Sequence, residues 1–415
     1  MTSAERFAFL VIDGVTAYNS IGAFNRELGR VLQNIGFDVI YLDADNPELF
    51  NQVLRQAVQD YPKRIAACLS FSGFAVELGD WTEQGNLWQR MGIPMLTILL
   101  DHPCYFLARH KTPSPAVMRV YPNANFMAFH RDYIRSPYRT SYCKFGAMTY
   151  GRPAVRREPK AGQQPLIIFP KSGSDPRKIE EVWALLPRLM QRVIHDSIDH
   201  YWGQTARSGP VEASVLAAAD AAGLELRNDL TLFTFFITQI DDYIRKSKVN
   251  IMVRQLLSQP VHIYGSGLDY IDTTGARGQI LPPLGYDALI DKFGEAFAII
   301  SMNPNIDDEC HDRPYSAMGA GALPISDINP WWEKNYPDLM PYSFDFRDRP
   351  VAAVVEKVLA DPVTAANVAW QVSERQLRTR TFDTMVNDIV ELAIMHSYFT
   401  FNFKPPQPYF AKCGA

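Results

Sequence analysis

Cysteine is scarce in this 415-residue chain. Its five copies (Cys68, Cys104, Cys143, Cys310 and Cys413) are scattered, odd in number and free of any Cys-x-x-Cys pair. That argues against a disulfide framework and for reduced thiols in a cytosolic setting. Long apolar runs are missing too. The longest, around Met91–Leu100 and Leu230–Ile240, fall short of the ~20 residues that cross a bilayer. There is no long basic run, and a net charge of −4 gives no general attraction to nucleic acid or anionic lipid. No repeat of fixed period, low-complexity tract or targeting segment stands out, since Phe7–Ile12 already reads as core. What remains is a cytoplasmic protein without a transmembrane segment. A peripheral position at the inner face of the membrane, through an apolar patch, stays open.

The residues that are present describe a globular protein: 47% hydrophobic, 21% charged, and long enough for two domains with separate cores. The first 150 residues alternate between strand and helix patterns. Strands are expected at Phe7–Ile12, Asp38–Leu42, Ile65–Phe71, Pro94–Leu100 and Asn125–Phe129. Helices are expected at Gly22–Ile35, Glu48–Asp60 and Asn86–Met91. Such alternation predicts a parallel sheet covered on both faces. Gly151–Pro165, rich in Pro, Gly and charge, reads as a linker.

A second α/β region follows, with strands at Leu166–Phe169 and Val261–Tyr264 and an almost wholly helical stretch from about 177 to 257 between them. The predicted division is 1–155, 163–385 and a closing helix and tail at 386–415. That end could cross back over the first domain or pair with a second subunit.

Phe297–Asp327 carries the most information. It reads as a strand (Ala298–Met302), a polar loop, a helix from about Arg313 to Gly319 and a second strand (Ala322–Ser326). The loop holds Asn303, Asn305, Asp307, Asp308, Glu309, His311, Asp312 and Arg313, too polar a set for a core. Polar residues at a strand's carboxyl end ahead of a helix sit where open α/β sheets bind ligands. The helix start favours a phosphate by ~0.3–1 kcal/mol per anionic charge. Contiguous carboxylates with one imidazole cannot all point at one centre, so no metal site is expected.

Tyr243-Ile-Arg245, VHIYGSG (Val261–Gly267), GQILPPLGYDALIDKF, a strand ending in Asn303 and RPYSAMGAGALPISD (Arg313–Asp327) together give a pattern similar to the carboxyl-terminal half of the CgeB-like group. Those are glycosyltransferases of the GT-B type, and the resemblance spans about Asp241 to Asn387. It implies an α/β fold of two facing Rossmann-like domains, the second with a helical insertion. It also implies a nucleotide sugar held by the second domain and an acceptor (glycan, lipid or protein) held by the first, with no cofactor beyond that donor substrate. Many such enzymes carry two glutamates separated by seven residues. Here Asp308 and Ser316 occupy those positions, and a serine lacks a carboxylate's strength toward a ribose hydroxyl.

On that basis Arg313, His311, Asn303, Asn305 and Ser316 are donor-binding candidates. Lys171 and Ser172 join them from the turn after the domain's first strand, as do Tyr264 and Gly265 from the turn after its second. Asp13 and His102, each ending an apolar strand, are the candidate proton acceptors. Asp101 is the expected orienter of His102, and Asn19, His130 and Tyr133 complete the acceptor side. The alternative for Arg313 is a surface pair with Asp308 or Asp312, and for Asp13 a purely loop-ordering carboxylate. Gly319–Ala322 and the aromatics Trp331, Trp332, Tyr336 and Tyr342 read first as packing. An epimerase-like enzyme and a non-catalytic nucleotide- or partner-binding protein are the competing functions.

Overall fold

The computed structural model describes residues 6–14, 16–78, 85–160, 162–204 and 209–401. The chain folds as two compact units, Met1–Lys144 with Phe382–Ala415, and Phe145–Thr381. The aromatic tail beyond Phe401 and Cys413 lie outside the described residues, and the other four cysteines are buried free thiols.

The first unit is a parallel sheet of six strands, β1 (Ala8–Asp13), β2 (Asp38–Asp43), β3 (Ile65–Phe71), β4 (Met95–Ile98), β5 (Val117–Tyr121) and β6 (Thr140–Tyr142), in the order β2-β1-β3-β4-β5-β6. β1 is buried along its length until Asp13, so its apolar run serves both faces. Helix α1 (Ser20–Asn34) turns Ile21, Phe24, Leu28, Val31 and Leu32 inward at helical spacing. Helices α2 (Pro47–Asp60), α3 (Leu87–Met91), α4 (Leu107–Lys111) and α5 (Ala124–Phe129) complete the crossovers. The closing helix, Phe382–Phe401, buries Phe382, Met385, Val386, Ile389 and Ala393. It lies on α1 and β3, and Phe24 stacks on Phe382 at 6.5 Å.

One expected element is corrected. Asn125–Phe129 is helical, not a strand: the Asn123 side chain accepts the Phe126 N–H at 2.9 Å and starts α5. The strand of this region is β5, whose apolar run is interrupted by Arg119. That guanidinium is fully buried and donates to the Thr112 carbonyl at 2.5 Å. A local pattern scores such an arginine as exposed, whereas the fold supplies it a carbonyl.

The second unit has strands β7 (Ile167–Pro170), β8 (Val261–Tyr264), β9 (Gln279–Leu281), β10 (Ala298–Ile300) and β11 (Leu323–Ile325), all parallel, ordered β11-β10-β7-β8-β9. Numbered from β7, this is the 3-2-1-4-5 order of a doubly wound nucleotide-binding sheet. Between β7 and β8 run α6 (Arg177–Trp183), α7 (Arg188–Gln204), α8 (Glu212–Ala221) and α9 (Leu230–Leu256), the expected helical layer. Then come α10 (Tyr286–Glu295), α11 (Asp312–Gly319), α12 (Pro330–Asn335), α13 (Val351–Ala360) and α14 (Pro362–Thr379). Both sheets are therefore of the expected Rossmann-like class.

Part of the segment read as a linker is fastened to this second unit. Arg157 donates to the carbonyls of Ala296, Phe293 and Ala320 at 2.9–3.1 Å. Val155 donates its N–H to the Ala320 carbonyl. Among the described residues, no helix is long and apolar enough to cross a membrane.

Gly321, between α11 and β11, has φ +80°, and a Cβ there would collide with the Val155 carbonyl oxygen. Gly321→Ala is expected to destabilise the protein by at least ~1–3 kcal/mol, combining strain and collision. Equilibrium denaturation would check it, and an unchanged midpoint would show that this backbone approach is not required.

Candidate anion-binding site

The order of the second sheet reverses between β7 and β10, which are neighbours although far apart in sequence. At such a switch point the loops leave the sheet in opposite directions and open a crevice at the carboxyl ends. Lys171 follows β7 directly, and the Asn303–Arg313 loop follows β10. Two glycine turns back this edge. Gly173 donates its N–H to the Ser266 carbonyl at 2.9 Å, the Ser266 N–H donates to Ser172 Oγ at 3.1 Å, and the two hydroxyls are 3.2 Å apart. A Cβ on Gly265 would run into the Lys171 carbonyl, and one on Gly267 into that of Gly173. The turns after β7 and β8 are thus one interlocked pair.

Asn303 is fully buried and closes the long loop. Its N–H donates to Asp327 Oδ1 (2.7 Å), its amide nitrogen to the Asp327 carbonyl (3.2 Å), and its amide oxygen accepts the His311 N–H (2.8 Å). Glu309 is buried beside it, taking the Arg380 guanidinium, the Tyr315 hydroxyl and the Cys310 N–H. Arg380 lies over the rings of Tyr315 (4.3 Å) and Trp331 (5.2 Å). Asn305 points elsewhere. Its oxygen accepts from Lys248 Nζ (2.7 Å) and the Tyr201 hydroxyl (3.1 Å), and its NH2 donates to Asp241 (2.8 Å). Asn303 and Asn305 are therefore already satisfied by the fold.

His311 caps α11 and is partly buried. Its Nδ1 lies against Asp312 Oδ1, and Asp312 Oδ2 accepts the Tyr286 hydroxyl at 2.8 Å. Burial pushes the imidazole below its ordinary value, Asp312 pulls it back up, and Arg313 and Lys171 push it down. Burial alone would raise the Asp312 carboxyl. The His311 ring, Arg313 and the Tyr286 hydroxyl outweigh it and hold the group well below the usual carboxylate range. β7 and β10 pair side by side, so the Lys171 turn and the Asn303–Arg313 loop leave the sheet at neighbouring strand ends. Among the described residues Arg313 makes no ion pair with Asp308 or Asp312, and its Nε is buried with no hydrogen-bond partner. Ser316 is buried, and its hydroxyl accepts the Met148 N–H at 3.2 Å. Tyr264, at the end of β8, is partly buried. Gly319 serves close packing, since a Cβ there would meet Thr149 at 2.6 Å.

In the first unit Asp13 ends β1 beside its own switch point with β3. Its carboxylate accepts from the buried Asn25 amide (3.0 Å) and the Gly14 N–H (3.1 Å). Asn19 is exposed in the left-handed region at φ 54°. His102 is buried, accepts the Cys104 N–H on Nδ1 (3.1 Å) and meets Phe126 and Phe129 edge-on. Asp101 is exposed and is not the residue that holds Nδ1, so the ring is oriented by the Cys104 amide and two phenylalanines.

His130, 2% exposed, belongs to a buried chain in which the Tyr121 hydroxyl lies 2.8 Å from His130 Nδ1 and 2.7 Å from His110 Nδ1. The Tyr133 ring packs against Phe129, centroids 5.1 Å apart and planes tilted by 43°.

Sequence reasoning missed Lys248, Tyr201, Asp241, Tyr286, Arg380, His110 and Tyr121. Only Lys248 left a trace, as a cation within a helix rich in apolar residues. Among the described residues no group of three or more His, Cys, Asp or Glu side chains is arranged to hold a metal ion.

No family model matches the chain, and no curated protein does. Among solved structures the chain is similar to sucrose-phosphate synthase from Thermosynechococcus elongatus (11% identity, 93% of this chain and 98% of that one, TM-score 0.49). It is also similar to a glycosyltransferase from Rickettsia africae ESF-5 (10%, 94% and 99%, 0.48) and to Anabaena HepE, solved in complex with UDP and glucose (10%, 93% and 99%, 0.45).

Lys248, 1% exposed, links α9 to the Asn305 loop. Lys248→Ala is expected to cost at least ~2 kcal/mol, from the vacated volume and the stranded partners. A denaturation midpoint equal to wild type would refute that.

A pH effect follows from the buried histidines. Burial lowers His130 and His396 to about 4 and holds His110 well below its ordinary value. Between about 4 and the unfolded value near 6.5 the unfolded chain binds more protons, so stability rises with pH across that window, by ~1.4 kcal/mol per unit for each such histidine. Melting at pH above and below this window should show the loss on the acid side.

Proposed function

We propose that the chain is a GT-B glycosyltransferase, moving a sugar from a nucleoside-diphosphate sugar to an acceptor hydroxyl without a divalent metal. The observation that carries this is the set of groups at the second sheet's switch point. Lys171, the interlocked serine–glycine turns, His311 and Arg313 all follow neighbouring strands there, with the Arg313 Nε buried and unpaired. A buried guanidinium nitrogen without an acceptor is costly unless a ligand supplies one. Two carboxylates of the same segment are already engaged, Glu309 by Arg380 and Asp312 by His311 and Tyr286.

In this reading the diphosphate lies against Arg313 and the Lys171 turn. As the bond from the anomeric carbon to phosphate breaks, negative charge grows on the leaving oxygen, and these fixed positive groups stabilise it. Arginine suits this role because its planar fork matches phosphate oxygens. The acceptor hydroxyl's proton goes to Asp13, whose carboxylate is held by Asn25 and Gly14. His102 is better suited to be a hydrogen-bond donor. Accepting the Cys104 N–H on Nδ1 puts the neutral ring's proton on Nε2. Membership of the CgeB-like subgroup is supported only by the sequence pattern between about Asp241 and Asn387, which includes Arg313–Asp327.

Calorimetric titration with UDP, ADP and GDP tests the donor site. One of them should bind, and Arg313→Ala should weaken it ~10-fold or more, the worth of a hydrogen bond to a charged group. Absence of binding by all three, or an unaltered affinity in the variant, would remove this reading.

A further inference from the structure

We infer that His311 takes up a proton from solvent when the donor's phosphates bind, with Asp312 and Tyr286 holding the ring for that purpose. This rests on the donor site described above and adds the coupling.

The geometry fixes which nitrogen is free. His311 Nδ1 touches both the Asp312 carboxylate and, at 3.4 Å, the Arg313 N–H. The carboxylate contact is much the closer and is charge-assisted, so Nδ1 carries the hydrogen and the neutral ring presents a lone pair at Nε2. That nitrogen has no hydrogen-bond partner among the described residues. The backbone behind the ring is pinned by Asn303 Oδ1, and Asp312 is pinned in turn by the Tyr286 hydroxyl. The ring is thus held by its back and side, with Nε2 remaining for a ligand.

A lone pair facing a phosphate oxygen is repulsive, and only the protonated ring offers an N–H there. The charged and titratable groups around it are Asp312 and Arg313 on its own segment, Lys171 from the β7 turn, and Tyr286 from α10 acting through Asp312. With the site empty, two cations and partial burial keep the ring neutral. Phosphate anions offset Lys171 and Arg313, while Asp312 remains across the ring to balance an imidazolium. Filling the site therefore reverses the balance that kept the proton off. No covalent bond to carbon or phosphorus changes: one solvent proton moves to Nε2 and one N–H···O contact forms.

Titration of UDP-glucose in buffers of different ionisation heat, at one near-neutral pH, tests this. Its phosphates do not titrate there, so any uptake belongs to the protein. The wild type should take up a fraction of a proton per ligand, and its affinity should weaken as pH rises, by at most ~10-fold per unit. His311→Gln should bind without uptake and with a flat pH profile, and Asp312→Asn should bind with reduced uptake. If His311→Gln does not fold, Asp312→Asn carries the comparison, and unchanged uptake in it overturns the coupling. Wild-type binding with no buffer-dependent heat overturns the coupling while leaving the donor site intact. If neither UDP-glucose nor any nucleoside diphosphate binds, the reading and the coupling fall together.

Discussion

The hydrogen bonds of one buried side chain set the candidate site. Asn303 leaves the end of β10, reaches Asp327 at the end of β11 through its N–H and its amide nitrogen, and holds the His311 N–H with its amide oxygen. A loop that long would otherwise sample many conformations, each fixed residue costing ~1–2 kcal/mol of backbone entropy. With both ends tied at one amide, the helix start at Asp312 and the side chains of His311 and Arg313 are delivered to the sheet's edge. The interlocked turns after β7 and β8 supply the opposing wall, and only glycine fits at Gly265 and Gly267 because backbone oxygens occupy the space a Cβ would need.

Around that loop the polar residues divide into two kinds. Glu309, Asn305, Lys248 and Ser316 are buried and have partners. They make the loop rigid but have little hydrogen-bonding capacity left for a ligand. His311 and Arg313 are partly accessible and keep unmatched nitrogens. The distinction is physical. A buried polar atom must be satisfied by the fold or by something that arrives, and the cost of leaving it unmatched is ~1–3 kcal/mol. Sorting polar residues by whether the fold has already paired them separates scaffold from binding surface better than residue type does.

The first unit shows where a sequence misleads. Asn125–Phe129 is as apolar as a strand, but Asn123 caps it into a helix, and the true strand contains a buried arginine. The local pattern puts His130 just after a strand. It instead follows α5 and sits in a hydrogen-bonded chain with Tyr121 and His110, contributed by three segments of the chain. Nothing local to His130 announces Tyr121 as its partner, because the bond exists only once β5 and α5 are packed.

The sequence by itself determined the alternation of strands and helices, the helical insertion before β8, the ends of β8 and β3, and the polar crest ahead of α11. Periodicity, caps and breakers act over a few residues, and their signals survive without tertiary context. Only the tertiary structure decided which of those polar groups are spent. It placed β10 beside β7, and with it the His311 loop beside the Lys171 turn, matched Arg380 with Glu309 and Lys248 with Asn305, and left the Arg313 Nε unmatched. Those outcomes depend on strand order and on pairs separated by dozens of residues, distances over which composition and spacing hold no record of who meets whom.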